Sequence, residues 1–133
     1  MTSEDLKREF IPIIKRGEIG KVYICDILYI ESEARKIYMH TVEKIQSIYG
    51  KIDDVEPMLP ENFYRCHKSC IINLDKVENM KDGYIEFENG DTVCLGREKF
   101  VKAFQKYRGY LISHEDAKSI SMGSRKNTAK NMP

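Results

Sequence analysis

No run of apolar residues in this 133-residue chain approaches the ~18–20 needed to cross a bilayer, and the opening MTSEDLKREF lacks the apolar core of a secretory signal. A cytoplasmic protein with no membrane association is therefore expected. The four cysteines, Cys25, Cys66, Cys70 and Cys94, include no CxxC pair, and in a reducing compartment they read as free thiols. Cys66, His67 and Cys70 look like a fragment of a zinc site, but a second ligand pair at short spacing is missing. Structural zinc takes its ligands in pairs, so no metal and no other cofactor is expected. Net charge is nearly absent as well: 22 basic residues face 21 acidic ones, leaving +1. The molecule as a whole exerts no strong pull on a polyanion, and any basic surface must come from local segregation. There is no internal repeat and no sign of a second domain.

Such segregation is present. Asp75 to Asp91 carries six acidic residues against Lys76 and Lys81, whereas Arg97 to Arg108 carries five basic residues against Glu98 alone. Beyond Ser113 come Lys118, Arg125, Lys126 and Lys130 in a small, polar, aperiodic stretch. A hydrophobic share of 41% with 32% charged residues is that of a globular domain, and the length fits one. The expected division is a lead-in over residues 1–9, one domain over 10–112, and a basic, disordered tail over 113–133.

The run KVYICDILYIES after Gly20 is rich in β-branched and aromatic residues and is interrupted at Asp26, as two short strands or one bent strand would be. Lys36 to Val42 and Ile45 to Tyr49 flank Glu43-Lys44 as the arms of a hairpin. Ile52, Val55 and Leu59 then recur at helical spacing, with Asp53 and Asp54 suited to a helix N-terminus and Pro57 and Pro60 limiting its length. FYRCHKSCIINL returns to strand character. Two further hairpins turn at Lys81-Asp82-Gly83 and at Asn89-Gly90, with Ile85 and Phe87 on one face of the strand between. From Arg97, Phe100, Phe104, Tyr107 and Leu111 recur at i, i+4, i+7 and i+11, which predicts a final helix, with Phe100, Phe104 and Tyr107 in the core or, as the alternative, on a dimer or partner face.

Two stretches carry a family resemblance. Asp26-Ile27-Leu28-Tyr29-Ile30-Glu31-Ser32, followed some thirty residues later by the F-x-R-x-H-x-S-x-x-x-N segment from Phe63 to Asn73, resembles the LytTR family of DNA-binding domains. The Asn89-Gly90 turn and the Gly96-Arg97 step into the last helix match its closing pattern. The resemblance covers roughly residues 10 to 111. It implies a mainly β fold, an elongated stack of small antiparallel sheets with one or two short helices. It also implies sequence-specific binding of double-stranded DNA by a transcriptional regulator, through loops inserted into the major groove, and not an enzyme. In the common family layout a phosphorylated receiver domain comes first; here about ten residues precede the pattern, so a member without a receiver is expected.

DNA binding through β-edge loops needs cations or small donors for phosphates and longer side chains for base edges. The resemblance points to three loops. The first is Ser32 to Lys36, where either Arg35 or Lys36 would read a base. The second is Lys68-Ser69, the lysine reaching into the groove and the hydroxyl suiting a phosphate. The third begins at Arg97. Alone, an arginine at a helix start is an ordinary solvated side chain, but within the pattern it is the best candidate for a guanine, whose O6 and N7 its planar fork matches. Lys51, Lys99 and Lys102 read as phosphate clamps. The implied partners are duplex DNA and, on repeated sites, a second copy of the chain.

Other residues read more plainly. Arg65 and His67 share a strand face with Phe63 and are expected to tie strands together beside the binding edge. Adjacent strand residues point to opposite faces, which argues against Cys66 and His67 as a nucleophile pair. His40 and His114 have no partners that suggest chemistry. Cys66 enters the binding loop and Cys94 lies near its exit, so the two are expected close enough to bridge on oxidation. The rival to DNA binding is a single-domain interaction module that titrates another regulator.

Overall fold

The computed structural model describes residues 9–113; the rest of the lead-in and the basic segment containing His114 and Lys118 to Lys130 lie outside the described residues. The chain opens with a hairpin of β1 (Phe10–Lys15) and β2 (Glu18–Tyr23), turning through Gly17 at φ 81°. After a 3₁₀ turn at Ile24–Asp26 come β3 (Ile27–Glu33), β4 (Lys36–Thr41), β5 (Ile45–Tyr49) and the one-turn helix α1 (Ile52–Val55). Asp26 thus separates two strands, and a 3₁₀ turn through Pro57 ends the helix. β6 (Phe63–His67) and β7 (Cys70–Asn73) follow, then a third 3₁₀ turn, β8 (Val77–Lys81), β9 (Tyr84–Phe87), β10 (Thr92–Cys94) and α2 (Arg97–Ser113).

All strand pairings among the described residues are antiparallel, in three sheets: β1-β2, β10-β9-β8, and a central sheet ordered β5-β4-β3-β7-β6. The fold is mainly β, built of small antiparallel sheets with two helices. β3 sits in the middle of the central sheet, which is why Ile27 through Ile30 are buried without a break. Its two faces feed separate cores. Ile27 and Ile30 join Ile11, Ile13, Ile37, Met39 and Ile71, while Leu28 and Tyr29 join Ile72, Phe87, Ile85 and Ala103. Strict alternation would have split Leu28 from Tyr29, but the register slips between Ile27 and Tyr29, and the irregularity turns both side chains to the same core. Each large apolar side chain buried this way contributes about 1.5–3 kcal/mol.

Two polar joints hold the sheets in place. Tyr29 stacks on Phe87 at 4.8 Å between ring centroids and on His40 at 4.1 Å, joining the central and three-stranded sheets, and His40 lies 2.9 Å from Glu31 Oε1. Asn73, 1% exposed, donates from Nδ2 to the Ile27 carbonyl at 2.8 Å; its Oδ1 accepts from Asn62 Nδ2 at 2.7 Å and from the Asp75 amide at 3.0 Å.

The final helix forms where its periodicity predicts, and Phe100 and Tyr107 pack against the β body as expected, with Ala103 and Tyr110 beside them. Phe104, also expected in the core, is exposed at 46%, and Leu111 at 47%. Ala103, fully buried, lets the helix backbone approach closely. The two tyrosines find polar partners on that side: Tyr107 donates to the Val77 carbonyl at 2.9 Å and Tyr110 to Asp75 Oδ1 at 2.7 Å. A helix turned to bury Phe104 and Leu111 would forgo both bonds.

Candidate nucleic-acid interface

β3, β5 and β6 end, and β4 and β7 begin, at the same end of the central sheet. The β3–β4 turn, the exit from β5 and the β6–β7 turn therefore lie side by side, and they carry Arg35, Lys36, Lys51, Lys68 and Ser69. Backbone hydrogen bonds tie the three together: Gly50 N–H donates to the Arg35 carbonyl at 2.9 Å and Ser32 N–H to the Ser69 carbonyl at 3.0 Å.

The β3–β4 turn is tight enough to force Ala34 to φ 57°, a left-handed conformation that costs an alanine about 1–2 kcal/mol. Arg35 projects from this strained tip and is exposed. Lys36, half-buried, lies 5.4 Å over the ring of Tyr49, its partner across β4 and β5. Lys51 precedes α1 in extended conformation and is exposed.

In the β6–β7 turn, His67 Nδ1 accepts the Ser69 amide at 3.1 Å and lies 3.0 Å from the Ser69 hydroxyl. Accepting that amide leaves Nε2 as the protonated ring nitrogen. Lys68 stands exposed at the tip. Arg65 contributes in a way the strand pattern does not predict. Its Nη1 lies 2.6 Å from Asp53 Oδ1 and 2.9 Å from Glu56 Oε1, and its Nη2 donates to the Lys68 carbonyl. Arg65 and His67 therefore brace a turn and a helix, where strand-to-strand ties were expected. The paired carboxylates hold the guanidinium above even its usual range.

The start of α2 completes the end. Glu98, Lys99 and Lys102 share a shallow groove of about 330 Å³ with Tyr64, Arg65, His67 and Lys68. A second groove, of about 380 Å³, runs from Glu33 and Ser69 to Thr92 and Cys94. Arg97 opens the helix and is exposed. Among the described residues Arg35, Lys36, Lys51, Lys68, Arg97 and Lys99 pair with no carboxylate, whereas Lys102 lies 3.9 Å from Glu98. A further groove, of about 950 Å³, lies elsewhere, between Phe63, Leu74 and the second half of α2, and none of the nominated residues lines it.

The profile of the LytTr DNA-binding domain matches residues 17–123. This chain belongs to the LytTr DNA-binding domain family. It is 30% identical over 95 residues to accessory gene regulator protein A of Staphylococcus epidermidis, in each of two strains, covering 67% of this chain. The chain spans about 39% of the length of those curated relatives. A solved LytTr DNA-binding domain from Bacillus cereus superposes with a TM-score of 0.63, at 21% identity, over 75% of this chain and 96% of that one, a likeness of fold.

In this LytTr domain Cys66 and Cys70, both buried, meet each other across the β6–β7 turn, and Cys66 Sγ lies 3.6 Å from the Cys70 carbonyl. Donation to Cys66, together with burial, pushes the Cys70 thiol far above its usual range. Cys94 is exposed on β10, and all four cysteines are free. Among the described residues no three His, Cys, Asp or Glu side chains converge as a metal site would require, and no helix is long and apolar enough to cross a membrane. Sequence reasoning missed the guanidinium of Arg65 and the thiol pairing. Asp53 and Glu56, three apart in the short helical segment formed by α1 and the 3₁₀ turn after it, were the only trace of the former, and nothing in the chain said which arginine would face them.

Proposed function

We propose that this LytTr domain is a transcriptional regulator that binds double-stranded DNA sequence-specifically, inserting its three adjacent loops into the major groove. Arg97, with Arg35 or Lys36, reads base edges, and Lys68 reaches into the groove. Ser69, Lys51 and Lys99 hold phosphates. One observation carries the reading: six cations that pair with no carboxylate among the described residues gather from distant parts of the chain at one end of the central sheet and the adjoining helix start. In a chain of net charge +1 that concentration is local, and its unpaired cations match a phosphate backbone.

Selection from a pool of random duplexes tests the proposal. A preferred sequence should emerge, and log affinity should fall with log salt by about 0.9 per phosphate neutralised, or roughly 2 for the two lysine clamps. Equal affinity for all duplexes, or a flat salt response, overturns it. The alternative, titration of another regulator, draws on the exposed outer stripe of α2, Val101, Phe104, Leu111 and Ile112. It gains ground if no duplex is selected.

A further inference from the structure

We infer that Arg65 is the positioning residue of this interface: it locks the Lys68-Ser69 turn to the loop that carries Lys51, and it masks two carboxylates that would otherwise face DNA phosphates. The inference rests on the DNA-binding reading above.

Three acceptors converge on one guanidinium. Asp53 and Glu56 both take Nη1, and the Lys68 backbone carbonyl takes Nη2. Asp53 and Glu56 belong to the helical segment that begins directly after Lys51, and Lys68 is the tip of the β6–β7 turn, so one side chain ties a nominated loop to the segment that carries a nominated phosphate clamp. Stability alone is a poor account of the arrangement. The Asp53 side chain is 70% exposed and that of Glu56 47%, and exposed ion pairs contribute only about 0–1 kcal/mol. Geometry is what the planar, multi-donor fork supplies: two carboxylates and a carbonyl are met at once, in fixed directions that a lysine ammonium cannot reproduce. The carbonyl bond fixes the backbone from which the Lys68 side chain departs.

Charge supplies the second half of the argument. Asp53 and Glu56 sit at the end of the molecule that carries Lys51, Lys68 and Lys99. A phosphate there falls within the ~10 Å over which charges interact at 0.1 M salt. With Arg65 in place the two anions are partly neutralised; without it they repel the backbone that the lysines attract.

The two roles separate in a variant set. Binding of the full chain is measured against the duplex recovered by selection and against a scrambled duplex, with folding followed by circular dichroism. Arg65→Lys keeps the charge but loses the fork. It should melt near wild type and bind the scrambled duplex about equally well, yet lose roughly tenfold of the preference for the selected one. Arg65→Met should weaken both duplexes. Adding Asp53→Asn and Glu56→Gln to it should restore affinity for the scrambled duplex without restoring preference. Wild-type preference in both Arg65 variants overturns the positioning role, as does a loss of binding that merely follows a loss of folded protein. If Arg65→Met does not fold, Arg65→Lys decides the question by itself. A wild-type chain that does not distinguish the two duplexes refutes the DNA-binding reading itself, which is a separate outcome.

Discussion

Replacing Asn73 should be among the most damaging single changes in this domain, and the structure gives the size of the loss. The residue is 1% exposed and makes three hydrogen bonds, to the Ile27 carbonyl, Asn62 Nδ2 and the Asp75 amide. Asn73→Leu keeps the branched outline and the number of heavy atoms and removes all three. Asn62 is half-buried and Asp75 exposed, and both can recruit water, so most of the cost falls on the Ile27 carbonyl. A buried group left without its partner costs about 1–3 kcal/mol, so a loss near 2 kcal/mol is expected. At roughly 4–8 °C per kcal/mol for a domain of this size, Tm should drop by about 8–16 °C. Asn73→Asp is the sharper probe. It keeps an oxygen for Asn62 and Asp75 but sets a second acceptor against the Ile27 carbonyl, and burial and that repulsion both favour the protonated carboxyl. Its folded pKa should therefore lie above the unfolded value near 3.9. The stability of this variant relative to wild type is greatest below that value and is lost as pH rises through the folded pKa. Urea melts from pH 4 to 8 measure this. A loss under 1 kcal/mol for Asn73→Leu, or no recovery of Asn73→Asp toward acid, refutes the account of Asn73 as a hydrogen-bonded joint.

Four other outcomes are expected. Arg97→Ala should lose about 1–3 kcal/mol of affinity for the selected duplex and relax preference at one base position, whereas Lys99→Ala should weaken all duplexes alike and make the salt slope shallower by about one unit; comparing the two against a mutated operator series settles the assignment. Ala34→Gly should stabilise the fold by up to about 1 kcal/mol in thermal melts, because glycine tolerates φ 57°, offset in part by its greater freedom when unfolded. Burial raises Tyr29, Tyr107 and Tyr110 above the ordinary tyrosine value of 10.0; their stabilising contribution is complete below pH ~10 and is lost above it as the unfolded chain ionises first, and Tyr29→Phe should flatten the alkaline limb of a stability profile. Cys25 and Cys94, both exposed, should react with a thiol reagent at once, while the buried Cys66 and Cys70 should react at the rate of unfolding.

The sequence by itself determined the pieces whose causes are local. Alternation in Tyr84 to Phe87 fixed which side of β9 is buried, and Asp82-Gly83 and Asn89-Gly90 marked turns that need positive φ, found at Asp82, Gly83 and Gly90. Pro57 stopped α1. Residue patterns near Asp26 and from Phe63 to Asn73 were enough to name the family, because they hold side chains whose partners are also in the pattern, as His67 holds Ser69 and Asn73 holds Ile27. Tertiary structure decided whatever depends on a partner far along the chain. The helical period of α2 allowed either of two faces to be buried, and the choice fell to hydroxyl partners 30 and 35 residues away, Val77 and Asp75. Leu28 and Tyr29 enter the same core because of an irregularity set by pairing with β4. Arg65 could have met any acid within reach until the chain passage from α1 to β6 set Asp53 and Glu56 beside it. Sequence spacing reports period and turn chemistry, which act over a few residues; the partners of a long side chain are set only once the strands are in register.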